Sequence, residues 1–301
     1  MSKFGEVVLS IINNWFPKRR HPLNLQNENQ LSYGEWQFQK GEETISLYLQ
    51  KYSVEEMFAG KTVLDLGCGA GGKSIYYASL GAEKVIGVDI VKEYQSESKA
   101  LAEKLGYADK FHFVLGDAAN LPFATGSFDT IIMNDFMEHV PEPEKALKEA
   151  YRLLSSGGRI YLNFPPYNHP FGAHLHDAIN VPWVHVFFKE QTMINVYKKI
   201  VSPLPDGKRR IEFRFSKDEN GGEHISYINK MTIRRFADIL TKLRLSPVYY
   251  HITPIRKPFE YLCKIRFFAE FLSKEVTCVI EKSQKTVVNN KAMRQENTKD
   301  R

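Results

Sequence analysis

The sequence has few cysteines and no long apolar run. Its three cysteines, Cys68, Cys263 and Cys278, lie far apart in the chain. This spacing excludes a disulfide framework and a zinc site of the Cys-x-x-Cys type, and it favours a reducing, cytoplasmic location. No stretch approaches the roughly 20 apolar residues of a membrane-spanning helix, so no transmembrane segment is expected. Residues 4–16 lack a small-residue cleavage site, so no secretory signal is expected either.

Charge of one sign is in only modest excess. The formal net charge is +6, and it comes largely from short clusters such as those at residues 18–20 and 208–210. Such clusters are usually solvated surface, so no nucleic-acid partner is expected. Apolar residues at helical spacing within residues 7–15 predict an amphipathic N-terminal helix that caps the core. Peripheral contact with a membrane surface is the alternative for this helix.

Residues 61–164 alternate short apolar runs with longer helical periods, a pattern typical of βαβ units and a parallel sheet. The predicted strands cover residues 61–66, 85–88, 111–115, 130–133 and 159–164. The predicted helices cover residues 73–80, 93–105 and 143–154, the last stopped by Gly157 and Gly158. An irregular segment with one helix near residues 189–200 follows. Beyond it the pattern predicts helices at 232–243 and 259–272, and strands at 247–252 and 275–280.

A glycine-rich loop lies between the first predicted strand and the first predicted helix. It begins after Asp65 and contains Gly67, Cys68, Gly69 and Gly71. Glycines here allow a sharp turn and a close approach of backbone to a ligand, but dinucleotide-binding folds use a similar loop. An acid at the strand end is unfavourable beside a pyrophosphate. It suits a cationic ligand such as the methionyl ammonium of S-adenosylmethionine.

Asp89 ends the second predicted strand, about 20 residues beyond the glycine loop, and Ile90 follows it. A carboxylate in this position can accept hydrogen bonds from both hydroxyls of a ribose. The alternative for Asp89 is a strand-end or helix-capping role. Its position relative to the glycine loop favours the ribose, and we include Ile90 in the candidate cofactor site.

Further motifs follow in order. They are Gly116-Asp117-Ala118, Leu121-Pro122-Phe123, Ser127-Phe128-Asp129 and the run from Asn134 to Val140. With the glycine loop, they make residues 61–165 resemble the class I S-adenosylmethionine-dependent methyltransferases, especially the small-molecule branch that includes the ubiquinone and menaquinone biosynthesis enzymes. The resemblance implies that Asp117 bonds the adenine amino group, Ala118 offers its backbone and Asn134 lines the methionine end. Asp117 as a turn residue and Asn134 as a loop cap are the alternatives.

The fold implied by the resemblance is α/β, with a Rossmann-like seven-stranded sheet and helices on both faces. We expect an N-terminal helical cap (1–55), a cofactor-binding core (56–165) and an acceptor-site insertion or lid after the fifth strand (166–228). The rest of the sheet with a helical insertion (229–282) and a disordered tail (283–301) complete the expected organisation.

Acceptor-facing residues are expected beyond the fourth and fifth strands, because ligands of open α/β sheets bind outside the carboxyl ends of the strands. His139, His174 and His176 are the candidate general bases there. A structural role at the start of a helix is the alternative for His139. No metal site is expected, since the histidines of residues 169–185 lack a recognisable ligand spacing.

These observations predict an enzyme that methylates a small apolar or aromatic molecule. Oxygen is the expected acceptor atom, and carbon or nitrogen is the alternative. A nucleic-acid or protein methyltransferase and a non-catalytic cofactor-binding protein are the competing hypotheses. A nicotinamide dehydrogenase is disfavoured by Asp65 and by the spacing of the glycines.

Overall fold

The computed structural model describes residues 2–19, 21–27 and 31–283. Its centre is a seven-stranded sheet in the order β3-β2-β1-β4-β5-β9-β8, beside a separate two-stranded hairpin, β6-β7. The strands are β1 Thr62–Leu66, β2 Lys84–Asp89, β3 Phe111–Leu115, β4 Phe128–Asn134, β5 Leu154–Phe164, β6 Phe215–Lys217, β7 Glu223–Ile225, β8 Tyr249–Pro254 and β9 Ser273–Glu281. The α/β sheet predicted from the sequence is confirmed.

The helices lie on both faces of the sheet and in the segments that precede and interrupt it. They are α1 Ser2–Asn13, α2 Pro22–Asn27, α3 Tyr33–Gln39, α4 Gly41–Ile45, α5 Val54–Phe58, α6 Gly72–Ser79, α7 Glu93–Leu105, α8 Pro143–Leu153, α9 Val184–Phe187, α10 Glu190–Val201, α11 Gly207–Arg214, α12 Ile233–Leu243 and α13 Arg266–Leu272. Within the described ranges, no helix is both long and apolar enough to cross a membrane.

The order of the strands places the candidate site. Strands β1 to β5 pair in parallel, and β1 lies between β2 and β4. The chain therefore leaves β1 at the point where successive strands are added on opposite sides, which opens a crevice at the strand ends. Strand β9 runs antiparallel between β5 and β8 and closes the sheet beyond the last parallel strand.

Two predicted boundaries are wrong. The helix predicted over 143–154 ends at Leu153, close to its predicted end, but the strand predicted to begin at residue 159 begins at Leu154, so Gly157 and Gly158 do not stop the helix. The glycines instead form an irregular stretch of β5, with Gly157 at φ +80°, between its two pairings with β4. The helix expected over 259–272 begins only at Arg266, because Ile265 before it has an extended backbone.

The segment after β5 forms a core of its own with the N-terminal helix. Leu9 of α1 is buried against apolar residues of the insertion, among them Ile194 and Tyr197 of α10. The Asn13 side chain donates to the Ala178 carbonyl oxygen at 3.0 Å. Helix α1 therefore caps the insertion rather than the sheet. The expected tail lies outside the described residues from residue 284 onward.

Candidate active site

The loop after β1 contains three glycines that no other residue could replace without strain. Gly67, Gly69 and Gly71 have φ values of +74°, +56° and +78°, in the left-handed region that side chains disfavour. A Cβ at Gly67 would lie 2.5 Å from the ring of Phe136. The Gly69 amide is held by the Asp89 carboxylate at 2.9 Å. The loop is thus a rigid cradle whose shape depends on these glycines.

Asp65 is buried at the end of β1 and accepts a hydrogen bond from the Ser74 hydroxyl at 2.5 Å. Burial raises the pKa of Asp65 to about 7, while nearby Lys73 acts in the opposite direction. A buried carboxylate that lacks a full countercharge is a strong partner for a bound cation. This position fits the ammonium group that the sequence analysis assigns to it.

The predicted adenosine side lies at the ends of β2 and β3. Asp89 accepts a second backbone hydrogen bond from the Val91 amide at 3.0 Å, which fixes the orientation of its carboxylate. Ile90 is 70% exposed and Ala118 is buried. Asp117 is exposed and accepts from the Ala119 amide at 2.9 Å, the turn geometry that the sequence analysis left open as an alternative.

Helix α3 covers the glycine loop, and the sequence analysis did not identify it as part of the site. The buried Gln37 side chain donates to the Cys68 carbonyl at 3.2 Å and accepts from the Gly72 amide at 3.3 Å. A Cβ at Gly72 would come within 1.9 Å of the Gly34 carbonyl oxygen, so α3 and α6 are in direct backbone contact. A capping box between Ser32 and Glu35 is the sequence signal that could have located α3.

One cavity of about 720 Å³ extends from the glycine loop into the insertion. Four predicted cofactor residues line it, namely Asp65, Gly67, Cys68 and Asn134, together with all three predicted catalytic histidines. The other predicted cofactor residues, Gly69, Gly71, Asp89, Ile90, Asp117 and Ala118, are not in its wall. The predicted cofactor residues therefore divide between a cavity beyond β1 and β4 and a more open edge beyond β2 and β3.

Asn134 is buried between two tyrosines. Its Oδ1 accepts from the Tyr48 hydroxyl at 2.5 Å, and its Nδ2 donates to the Tyr77 hydroxyl at 3.2 Å. Asp135 follows at φ +50°, an unusual conformation for a residue with a side chain. The carboxylate of Asp135 lies 3.2 Å from the Lys73 ammonium. The turn after β4 thus carries both local backbone strain and ordered polar groups.

His139 lies deep in the cavity against the insertion. Its Nδ1 is 3.0 Å from the Tyr227 carbonyl oxygen, and its Nε2 is 3.6 Å from the Glu138 carboxylate. Since a carbonyl oxygen can only accept, the proton of neutral His139 lies on Nδ1 and the lone pair on Nε2. Burial lowers the pKa of His139 to about 4. Glu138 was named only as part of a motif in the sequence analysis, yet it is a buried member of this cluster.

The other two predicted catalytic histidines occupy different surroundings. The His174 ring lies 4.9 Å from the His139 ring, centroid to centroid, whereas the His176 ring lies 5.1 Å from that of His21. Burial lowers the pKa of His174 well below its ordinary value and that of His176 to about 4. The His174 ring also lies 6.4 Å from the His176 ring, so the three histidines line one cavity with His174 between the other two.

A buried ion network supports the insertion wall. Arg214 lies 3.2 Å from the Asp177 carboxylate, and its Nη1 donates to the His174 carbonyl at 2.8 Å. Arg210 also contacts Asp177, at 3.3 Å. Asp177, grouped with the insertion histidines in the sequence, is thus engaged by arginines. This network holds the backbone at His174 in place.

Comparison with known proteins agrees with this geometry. Residues 64–162 match a family model described as a methyltransferase domain. The chain is 32% identical over 102 residues to norajmaline N-methyltransferase of Rauvolfia serpentina, covering 34% of this chain and 35% of that protein. It is 36% identical over 102 residues to the chloroplastic tocopherol O-methyltransferase of Arabidopsis thaliana, covering 34% and 29%. The similarity thus spans about a third of the length of these curated relatives. The family model matches the part of the chain from β1 to β5.

A solved structure extends the likeness of fold beyond this region. Geranyl diphosphate C-methyltransferase from Streptomyces coelicolor A3(2) superposes with a TM-score of 0.50 at 14% sequence identity. The superposition covers 81% of this chain and 77% of that one. At this identity the likeness concerns the fold alone, and the insertion must be interpreted from its own residues.

Proposed function

We propose, from the premise that residues 64–162 are a methyltransferase domain of the S-adenosylmethionine-dependent class, that this chain methylates a small molecule. The observation that carries the proposal is the single cavity, which joins the glycine loop and Asp65 to the histidines of the insertion. A cofactor held at one end and an acceptor held at the other would meet within it. Alignment of two reactants in this way supplies effective molarities of about 10⁵–10⁸ M.

The residues present fit S-adenosylmethionine. Asp65 would bind the ammonium group, the backbone of Gly67 and Gly69 would pack against the methionyl chain, and Asp89 would accept from the ribose hydroxyls. The cofactor supplies a methyl group that a positively charged sulfur has already activated for displacement. We infer that Asn134 lines the methionine end, and that Ile90, Asp117 and Ala118 surround the adenine.

The wall of the cavity supports an acceptor with apolar or aromatic surface. Trp36, Phe171, Phe213 and Tyr227 all line it, and the volume of about 720 Å³ would be shared by a small acceptor and part of the cofactor. Helix α3 and the insertion cover the cavity from two sides and would exclude water from the reacting groups. A small molecule, rather than a nucleic acid, is therefore the proposed acceptor.

Oxygen is the proposed acceptor atom, because the cavity presents a base in the required form. The His139 Nε2 carries a lone pair and could accept the proton of an acceptor hydroxyl. A positioned base contributes roughly 10²–10⁴-fold to such reactions. His174 lies beside His139, and His176 lines the same cavity, so both are proposed to contact the acceptor. Nitrogen and carbon are the alternative acceptor atoms, and the presence of a base that accepts a hydroxyl proton does not favour them.

The proposal can be tested by binding and by transfer. Calorimetry should detect the binding of S-adenosylhomocysteine. A labelled-methyl assay that offers fractionated small molecules and RNA as separate acceptor pools should transfer the label to a small molecule. Asp65→Asn should weaken binding, whereas the matched change Asp109→Asn, at an exposed site, should not. Binding of a nicotinamide dinucleotide but not of S-adenosylhomocysteine would refute the proposal. Cofactor binding with no methyl transfer to any pool would favour a non-catalytic protein. Transfer of the label to RNA would favour a nucleic-acid methyltransferase.

A further inference from the structure

Three side chains at the acceptor end of the cavity converge from separate parts of the chain. Glu138 and His139 follow β4, and His174 comes from the insertion. One potential ligand atom from each lies within 4.8 Å of the other two. We propose that Glu138, His139 and His174 bind a divalent transition-metal ion.

Glu138 is the strongest reason for a cation at this position. Its side chain is 3% exposed, it lines the cavity, and neither carboxylate oxygen has a hydrogen-bond partner among the described residues. A buried carboxylate without partners is costly, and the cost falls when a cation is bound. The nearest ion-pairing group is the Nε2 of His139 at 3.6 Å, which the hydrogen bond to Tyr227 leaves unprotonated in the neutral ring.

His139 is oriented as a metal ligand would be. Ligating histidines almost always donate their second ring N–H to a carboxylate, a backbone carbonyl or a water, which fixes both the tautomer and the direction of the ring. The Nδ1 of His139 makes this contact with the Tyr227 carbonyl at 3.0 Å. The lone pair of Nε2 is thereby directed to the side of the ring where Glu138 lies.

His174 is held in place by backbone conformation and by Arg214. Its φ of +52° is rarely adopted by a residue with a side chain, and such strain is tolerated where surrounding contacts enforce it. The Arg214 guanidinium donates to the His174 carbonyl at 2.8 Å from outside the cluster. Arg214 and Lys73 do not leave the cluster strongly positive, since their ion pairs with Asp177 and Asp135 offset their charges.

The ligand types select the kind of metal. Mg²⁺ and Ca²⁺ prefer oxygen ligands, whereas two imidazoles with one carboxylate suit Zn²⁺ or Fe²⁺. Three protein ligands would leave at least one position open, and all three residues line the cavity through which an acceptor would approach. An acceptor hydroxyl bound there would have its pKa lowered by the metal, so that it could release its proton to water before its oxygen takes the methyl group and the thioether leaves. His139 would then act as a ligand instead of a base.

The use of the metal in methyl transfer rests on the proposed function, but the binding of the metal does not. The acceptor this inference favours has an oxygen that can coordinate a metal ion. No metal was expected from the sequence, because the histidines of residues 169–185 lack a recognisable ligand spacing. The proposed set instead draws its carboxylate from the loop after β4.

Cobalt(II) is a suitable probe, because it follows the same ligand preferences as zinc and absorbs visible light according to its coordination. Metal-stripped protein without a polyhistidine tag should bind one Co²⁺ per chain, with the intense absorption of a four- or five-coordinate ion. Glu138→Gln and His174→Asn should each weaken this binding by more than about tenfold. His169→Asn, in the same cavity but outside the cluster, is the matched control and should leave the spectrum unchanged.

The two proposals fail in different ways. Absence of one-to-one Co²⁺ binding would overturn the metal site. So would Co²⁺ binding by Glu138→Gln and His174→Asn that is as tight as that of the unchanged protein. Urea unfolding of the same samples shows whether each variant is folded, and calorimetry with S-adenosylhomocysteine measures cofactor binding separately. Methyl transfer by protein that binds no Co²⁺ would leave the proposed function standing without the metal. A bound Co²⁺ ion together with no binding of S-adenosylhomocysteine would leave the metal site standing without the proposed function.

Discussion

Replacing Gln37 by alanine tests whether α3 is a working part of the cofactor site. Gln37 makes two contacts with the glycine loop, donating to the Cys68 carbonyl and accepting from the Gly72 amide. The Gly72 amide lies in the first turn of α6, where backbone N–H groups have no partner within the helix. No side chain at the Gly71 N-cap bonds this turn, so Gln37 supplies the partner from another helix.

The magnitude follows from these two hydrogen bonds. A buried backbone group left without a partner costs about 1–3 kcal/mol. Only the Gly72 amide is left without a partner by Gln37→Ala, because the Cys68 carbonyl still accepts from the Gly71 amide at 3.0 Å. Adding about 1 kcal/mol for the Gly72 amide to about 1 kcal/mol for the net loss of the bond to Cys68, Gln37→Ala should cost about 2 kcal/mol of contact between α3 and the loop. If cofactor binding requires the closed loop, this loss corresponds to a roughly 30-fold weaker affinity.

The assay is calorimetry with S-adenosylhomocysteine, together with urea unfolding of the same samples. Gln39→Ala is the matched control, because it removes the same side chain from an exposed position of the same helix. The reasoning predicts that Gln37→Ala alone loses affinity. Equal affinities for the two variants would show that α3 covers the loop without contributing to the cofactor site.

Three further predictions concern separate parts of the molecule. Asp89→Ala should weaken S-adenosylhomocysteine binding about 100-fold, because about 3 kcal/mol of charged hydrogen bonding to the ribose is lost; unchanged affinity by calorimetry would remove Asp89 from the site. Tyr48→Phe should lower the free energy of unfolding by about 1–3 kcal/mol, since Asn134 Oδ1 loses its 2.5 Å hydrogen bond; an unaltered urea midpoint would contradict this. Burial lowers the pKa of His21 and of His169 to about 3, against an ordinary 6.5, so their stabilising contribution is complete above pH 6.5 and is lost as the pH falls toward 3. At pH 5.5 each histidine should lower the free energy of unfolding by about 1.4 kcal/mol. His169→Asn should therefore reduce the pH dependence of stability measured by urea unfolding; an unchanged pH dependence would show that His169 does not contribute to it.

The cofactor half of the site could be predicted because its residues are neighbours in the sequence. A strand, a glycine loop and a helix follow one another without interruption, and the bounds of β3 and α7 agree with the prediction residue for residue. The acid at the end of β1 and the acid at the end of β2 could be located by counting along the chain. The cofactor-binding roles assigned to all of these residues stay predictions, as do those of Asp117, Ala118 and Asn134.

The acceptor half could be predicted only as a set of residue types. The sequence contained His139, His174 and His176, but nothing in their spacing indicates that His139 packs on His174 while His176 packs on His21. These contacts depend on how the insertion folds over the sheet, which is a long-range property.

The sequence by itself determined the α/β sheet, the glycine loop and its two carboxylates, because periodicity and strand ends are local properties of the chain. The tertiary structure alone decided that Gln37 holds the loop from another helix. It also decided that the Glu138 side chain is buried beside two histidines with no hydrogen-bond partner in the part of the chain that the structure describes. Burial and partnership of polar groups depend on which distant segments pack together. The spacing of residues within one segment therefore does not predict which polar groups are buried or what they contact.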